Sequence, residues 1–469
     1  MKWFFKGGRI MDVKSLAAGY RGEMVEKLGK LVSINSERGE TAADAPFGEG
    51  PKKALDTALA MMQADGFKVR NLDNYAGYAE MGEGDGRIDI IAHLDVVPAS
   101  MEDGWDSDPF QMIEKDGILY GRGVSDDKGA AVASMIAMKI LRDLNVPLTK
   151  RIRLVLGTNE ETGSKGLEYY ASKEGAPDYG FTPDGDFPCI CGEKGMIGAV
   201  YRSKKTAIHE IKGGTAGNIV CKKCYAVVDK CSFSKKTLED YFNNHNIEFE
   251  LEENDANTVK LTVHGVAAHA STPELGVNAI SYLFSGLKEA GFQDPFVDFF
   301  CDRIGLHTDG EGLGLNVSDD YGALTLNCGV IGMKDGVIEG TIDTRFPVTM
   351  NARQVMKGTE GRLEDDGGII VLNPDGRKPV EPLFFSAESP LVSCLTDAYR
   401  EVTGDTESQP LVIGGGTYAK EIDNTIAFGC AFPGKDYKIH NANEWCPVDD
   451  LLKQVEIYVA GIEKLLQQK

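Results

Sequence analysis

The chain has 469 residues, 42% of them hydrophobic, and a formal net charge of −22. At ~150 residues per domain this length implies two or three domains, and the hydrophobic share is ordinary for a globular protein. So acidic a chain opposes nucleic-acid phosphates and anionic membranes as partners, and no apolar run reaches the ~18 residues of a membrane helix.

The opening Met1-Lys2-Trp3-Phe4-Phe5-Lys6-Gly7-Gly8 is too short for a signal-peptide core and soon charged. The expectation is therefore a cytoplasmic protein whose ten cysteines stay reduced. Cys189, Cys191, Cys221, Cys224 and Cys231 crowd into one region, but their CxC and CxxC spacings lack the context of a zinc knuckle. They read as scattered buried thiols. In chain order, Val13 to Ile34 and Pro51 to Asp65 read as helices, and Arg87 to Ala92 as a strand leading into His93. Gly129 to Leu144 reads as an amphipathic helix, and Arg151 to Leu156 as a short buried strand. Near residue 190 the texture turns to β-rich stretches such as Thr258 to His264, broken by Gly-rich charged loops. It returns to α/β after about Pro382 and ends in a helix from Val448 to Leu466. No repeat of 20–50 residues is evident. The expected architecture is α/β. A discontinuous catalytic domain, residues 1–190 and 380–469, carries a mixed sheet flanked by helices. An inserted α+β domain spans 191–379.

Several polar residues lie where strands of such a sheet end, the usual place for chemistry. His93-Leu94-Asp95 follows a strand, so Asp95 lies on the same side and can orient a metal-binding imidazole. In the loop Gly121 to Gly129, Asp127 suits a helix cap, which leaves Asp126 with two oxygens able to bridge two cations. Glu160 and Glu161 follow the Arg151–Leu156 strand. In an extended chain they would face opposite ways, so that one could bind a metal and the other handle a proton. Asp184, within Pro-Asp-Gly, reads alone as a turn residue, and His440 alone says little. Together, two histidines and several carboxylates in one alternating domain suit zinc, with manganese or cobalt as alternatives. Neither a Gly-x-Ser-x-Gly elbow nor a P-loop competes with this reading.

These residues sit in an ordered series: HLDVVP from His93, GRGVSDDKG from Gly121, TNEETGSKG from Thr158 and PDGDFP from Pro183. It continues with HASTPELGVNA from His269, DTRFP from Asp343, GGGTYAK from Gly414 and HNANE from His440. Over essentially its whole length the chain resembles the co-catalytic metallopeptidases that include aminoacylase, acetylornithine deacetylase and succinyl-diaminopimelate desuccinylase. It is most similar to their bacterial dipeptidase V branch, which is related to the carnosinases. The resemblance implies two divalent ions, zinc in first place. His93, Asp126 and Asp184 would bind one, and Asp126, Glu161 and His440 the other. Asp126 would bridge them through a peptide to Asp127 that is cis, Asp95 would orient His93, and Glu160 would be the base that activates a metal-bridging water. The inserted domain would be a lid, with His269 at the oxyanion, Arg345 and the Gly414-Gly415-Gly416-Thr417 loop at the substrate carboxylate, and Asn218 a looser match. Without the resemblance, Arg345 reads as a surface ion pair with Asp343, and His269 as a loop cap. Lys420 stands where arginine is more usual in this branch, and Cys221-Lys222-Lys223-Cys224 where apolar and proline residues are. The implied activity is hydrolysis of dipeptides with a free C-terminus by a monomer. The alternatives are deacylation of N-acyl amino acids at the same site, or a silent homologue that binds metal or peptide.

Overall fold

The computed structural model describes residues 8–468; the Met1–Gly7 part of the stretch weighed above as a signal segment lies outside them. The chain divides into two compact units. The first comprises residues up to Gly192, Phe385–Leu411 and the segment from Gly416 onward. The second comprises Glu193–Phe384 and Val412–Gly415.

In the first unit the strands lie in the order Lys68–Leu72, Ala76–Met81, Arg151–Gly157, Arg87–His93, Tyr179–Thr182 and Thr425–Ala427. The first two and their junction with Arg151–Gly157 are antiparallel. The remaining four strands run parallel. The parallel strands are mostly apolar and buried, as strands covered on both faces are, and Arg87–His93 is buried at every residue, its Arg87 and Asp89 paired with each other.

The Lys128–Asp143 helix covers Arg87–His93 and Arg151–Gly157, and is itself covered by Arg21–Val32 and the C-terminal Val448–Leu465. Every residue from Lys128 to Leu141 is buried. The expected amphipathic face is therefore absent: an Ala- and Met-rich helix between two layers needs no solvent side. Of its two buried lysines, Lys139 pairs with Glu23 and Asp65, and Lys128 donates to the carbonyls of Leu31 (3.0 Å) and Ile34 (2.9 Å) at the end of Arg21–Val32. The Leu31 carbonyl also accepts the Ile34 N–H at 3.1 Å, so the ammonium adds a donor where the helix runs out of its own. Burial pushes the Lys128 ammonium down to about 7. The helix expected over 13–34 is two, Gly8–Gly19 and Arg21–Val32. Gly19 and Gly22 flank the junction at Tyr20, where low helix propensity makes a break cheap.

The second unit is built on an eight-stranded antiparallel sheet with the order Phe249–Glu253, Thr258–His264, Lys223–Asp229, Glu210–Gly213, Thr325–Lys334, Val337–Phe346, Gly195–Ser203 and Gly368–Leu372. Gly195–Ser203 alternates buried with less buried residues, the period-two pattern of a sheet with one face on a core. The helices Lys235–Asn244, Ala279–Glu289 and Pro295–Arg303 supply the other side of that core, where Phe242, Phe284, Phe296 and Phe300 are fully buried. Cys221, Cys224 and Cys328 lie in the same core, and Cys231 is exposed. Among the described residues, no helix is long and apolar enough to cross a membrane.

Candidate metal centre and substrate-binding residues

The first unit's polar cluster forms at the carboxyl ends of its parallel strands. His93 ends one strand and lies directly across from Gly157, which ends the next. Gly157 must be glycine: a Cβ there would stand 2.1 Å from the Tyr418 hydroxyl. The Tyr418 ring in turn meets the His93 ring edge-on, with centroids 6.1 Å apart. His93 is fully buried. Its Nδ1 lies 2.9 Å from the Asp95 backbone oxygen and its Nε2 3.0 Å from Asp126 Oδ1. A carbonyl can only accept, so Nδ1 carries the proton and Nε2 offers its lone pair to a cation when the ring is neutral.

Asp126 spans the two histidines. Its Oδ1 faces His93, and its Oδ2 lies 2.9 Å from His440 Nε2, which is also 3.1 Å from Glu161 Oε1. Asp184 Oδ2 is 3.7 Å from His93 Nε2. Two groups result, His93–Asp126–Asp184 and Asp126–Glu161–His440, each with ligand atoms within 4.8 Å of one another. His440 reaches its position from a backbone with φ of 62°, a left-handed conformation that costs a non-glycine residue on the order of 1 kcal/mol. The peptide between Asp126 and Asp127 is cis.

Two expectations about local structure need correction. Glu160 and Glu161 are not extended: the strand ends at Gly157, and they sit in the turn that follows. Their separate directions come from Asp95, whose two oxygens accept the N–H groups of Glu160 (3.0 Å) and Glu161 (3.1 Å). Asp95 thus holds His93 through its backbone oxygen while its carboxylate holds the double-glutamate turn. Asp127 stands at the N-cap position of Lys128–Asp143, but its side chain caps nothing there. Its Oδ2 instead accepts the His93 N–H at 3.0 Å. Glu444 was absent from the expected site, although HNANE contains it. It is fully buried and accepts hydrogen bonds from Arg122 and from three main-chain N–H groups, including that of Asp126. A charged residue four positions after a metal-ligand histidine is the only signal that could have pointed to it.

The donors present fit divalent cations: imidazole nitrogen and carboxylate oxygen, with one carboxylate common to both groups. The electrostatics agree. Burial, then the charge of Asp126, pushes the Asp184 carboxyl up to about 7. Burial, then Asp184, raises Glu160 well above the carboxylate range. The carboxylates of Asp126 and Glu161 hold the His440 imidazolium up to about 11. At neutral pH the metal-free cluster therefore keeps protons that a cation must displace. Metal affinity is expected to rise with pH through about 7, as Asp184 deprotonates, with proton release on loading. Calorimetric titration in two buffers of different ionisation enthalpy measures this. Equal heats in both buffers would contradict it.

The second unit carries a separate polar group. His269 Nδ1 accepts the Ser271 backbone N–H at 3.2 Å and lies 2.7 Å from its hydroxyl. His269 thus does cap its own loop, and the same contact puts the neutral ring's proton on Nε2 as a donor. Gly414 packs against Ser271, whose Cβ would lie 2.3 Å from a Cβ at position 414. Arg345 is buried rather than at the surface. Its Nε and Nη2 donate to Asp343 at 2.6 and 2.8 Å, and its Nη1 to the Gly414 oxygen at 2.9 Å. Its Nη1 also donates to Met196 Sδ at 2.6 Å, so four of its five N–H groups are committed to holding the guanidinium in place. A cavity of about 690 Å³ is lined by Lys194, His269, Ser271, Tyr321, Gly414 and Gly415 among others. Asn218 is exposed, with its carbonyl accepting the Ala270 N–H. Gly416 and Thr417 belong to the first unit, where the Thr417 hydroxyl accepts the Ala419 N–H.

An α/β unit with a partly buried histidine–carboxylate cluster at its strand ends, joined to an antiparallel α+β unit, defines a metallohydrolase of two units. The sequence profile of peptidase family M20/M25/M40 matches residues 90–464, and the chain belongs to that family. A Bacillus subtilis protein named "Putative dipeptidase YtjP" is 34% identical over 460 residues, covering 94% of this chain and 97% of its own. A Staphylococcus saprophyticus protein named "Putative dipeptidase SSP1012" is 34% identical over 466 residues, covering 95% and 97%. In fold the chain is similar to human carnosine dipeptidase 1, with a TM-score of 0.62 at 17% identity over 98% of this chain and 99% of that one. It is also similar to a Staphylococcus aureus tripeptidase, with a TM-score of 0.57 at 16% identity over 96% and 99%.

Proposed function

We propose that this protein is a dipeptidase that holds two divalent ions, zinc in first place, and cleaves dipeptides bearing a free C-terminal carboxylate. The observation that carries this reading is the placing of Asp126 between the two histidines while Glu160 stands outside both ligand groups. When bound, the ions supply a water of lowered pKa and positive charge beside the scissile carbonyl. Glu160 takes the proton of the attacking water and returns it to the leaving amine. Asp95 keeps Glu160 and Glu161 in their separate directions by holding both of their N–H groups. His269 donates Nε2–H to the oxygen that gains charge in the transition state. Arg345, braced by Asp343, directs its one remaining N–H and its positive charge to the substrate carboxylate, a role assigned also to the Gly414-Gly415-Gly416-Thr417 loop and Asn218. The names borne by the relatives in B. subtilis and S. saprophyticus support the dipeptide as substrate. Cytoplasmic location and a monomeric state belong to the same proposal. Ten unpaired cysteines suit a reducing compartment, and sedimentation would test the monomer.

The test is a panel of dipeptides, tripeptides and N-acetyl amino acids assayed on metal-loaded enzyme. Dipeptides are expected to be preferred. A strong preference for N-acetyl amino acids would replace the dipeptidase reading with a deacylase, and no turnover of any of them would overturn it. Arg345→Ala is expected to raise KM for free-carboxylate dipeptides by roughly 10- to 100-fold, the worth of a charge-assisted pair. It should leave C-terminally amidated substrates nearly unchanged, and an equal loss on both would remove Arg345 from carboxylate recognition.

A further inference from the structure

Glu444 is a fully buried carboxylate that serves none of the roles above. Its Oε1 accepts the N–H groups of Ser125 (2.9 Å) and Asp126 (3.1 Å). Its Oε2 accepts the N–H of Gly123 (3.1 Å) and Arg122 Nη1 (2.8 Å). Its own carbonyl accepts the Gly121 N–H at 3.1 Å. One residue thus gathers the main chain from Gly121 to Asp126, a segment more than 300 positions away. Arg122, the only cation among its hydrogen-bond donors, is itself set over the Trp105 ring at 5.2 Å. Gly123 turns the segment with φ of 87°, which leaves little in its own sequence to hold it rigid. The next residue in the chain, Trp445, pairs with Tyr120 in a short antiparallel ladder.

The same peptide stretch carries His440 four residues before Glu444. From this geometry we propose that Glu444 is a positioning residue for the metal centre: it fixes the Asp126 backbone, so that one carboxylate meets His93 and His440 together. In that role Glu444 touches neither substrate nor metal. The proposal rests on the metal-centre reading above. Since Asp126 is shared by both ligand groups, the effect is read on whichever ions the wild-type protein retains. A carboxylate is required because four donors converge on its two oxygens. A carboxamide would turn an N–H₂ group towards N–H donors. Aspartate keeps the charge but withdraws both oxygens by one methylene.

The experiment compares wild type, Glu444→Gln and Glu444→Asp by metal content after dialysis, zinc affinity by competition with a chromogenic chelator, thermal unfolding without metal, and kinetics on a dipeptide. Metal affinity is expected to fall at least 30-fold in Glu444→Gln and about tenfold in Glu444→Asp. kcat should fall while KM stays within about threefold, and the metal-free Glu444→Asp should unfold as cooperatively as wild type. Either variant, folded and binding its metal with wild-type affinity, would overturn the proposal. If Glu444→Gln fails to fold, Glu444→Asp decides by the same criterion. Wild type that retains fewer than two ions would count against the dinuclear reading alone, since the variants are still compared on the ions it does retain.

Discussion

Glu160→Gln is expected to lower kcat by roughly a thousandfold while leaving metal content, metal-dependent melting temperature and substrate KM near wild type. A positioned general base contributes typically 10²–10⁴-fold, and a thousandfold loss corresponds to about 4 kcal/mol of barrier. The substitution preserves volume and removes only the ability to take a proton. Glu160 is the right residue for that test because it is absent from both ligand groups although it adjoins Glu161, which is in one of them. Burial and the neighbouring Asp184 raise its proton affinity, which suits a group that must accept a proton and later give it back. Its backbone is held by Asp95 rather than by its own carboxylate, so the variant loses no anchoring contact. Glu161→Gln makes the contrast, since losing a ligand should lower metal content as well as rate. Full activity of Glu160→Gln would remove it as the base. Loss of metal from that variant would make it a ligand instead.

Much of this centre was legible because its residues follow immediately on apolar strands. His93 closes Arg87–His93, Asp184 comes two residues after Tyr179–Thr182, and Glu160 three after Arg151–Gly157. The parallel register that sets His93 beside Gly157 then brings them together. Hydrophobic patterning reports strand ends well, and the ordered motifs name the residues there. It reports poorly on what one loop does to another. The grip of Asp95 on the double-glutamate turn, the hold of Asp127 on the His93 backbone and the reach of Glu444 to Asp126 depend on distant segments meeting. No local pattern encodes them. The Lys128–Asp143 helix was misjudged for a related reason: scattered Ala, Ser and Lys residues mimic a polar face, and only the layers on both sides reveal that it has none. His269 shows a local and a functional reading coexisting, since the Ser271 contact that caps the loop is the one that leaves the proton on Nε2.

Asp126→Asn should have the broadest effect of any single substitution, because it strikes both ligand groups at once. Asp126 offers one oxygen to the His93 side and the other to the His440 side. Burial opposes its charge, yet hydrogen bonds from His440 and His93 hold its carboxyl well below the usual carboxylate range. Asparagine keeps one oxygen and replaces the other with an N–H₂ group, which cannot ligate a cation. One ion must then be lost and the other weakened, whichever way the amide turns. Activity is expected to fall at least ten-thousandfold, and retained metal from two ions to one at most. His440→Ala should remove a ligand from one group only and leave the His93 side able to retain its ion. Unfolding reads the same difference, because an ion at a thousand times its Kd adds about 4 kcal/mol to stability. Added zinc should therefore raise the melting temperature most in wild type, less in His440→Ala and least in Asp126→Asn. Two ions retained by Asp126→Asn would show that the groups do not share this carboxylate, and the dinuclear reading would then have to find another bridge.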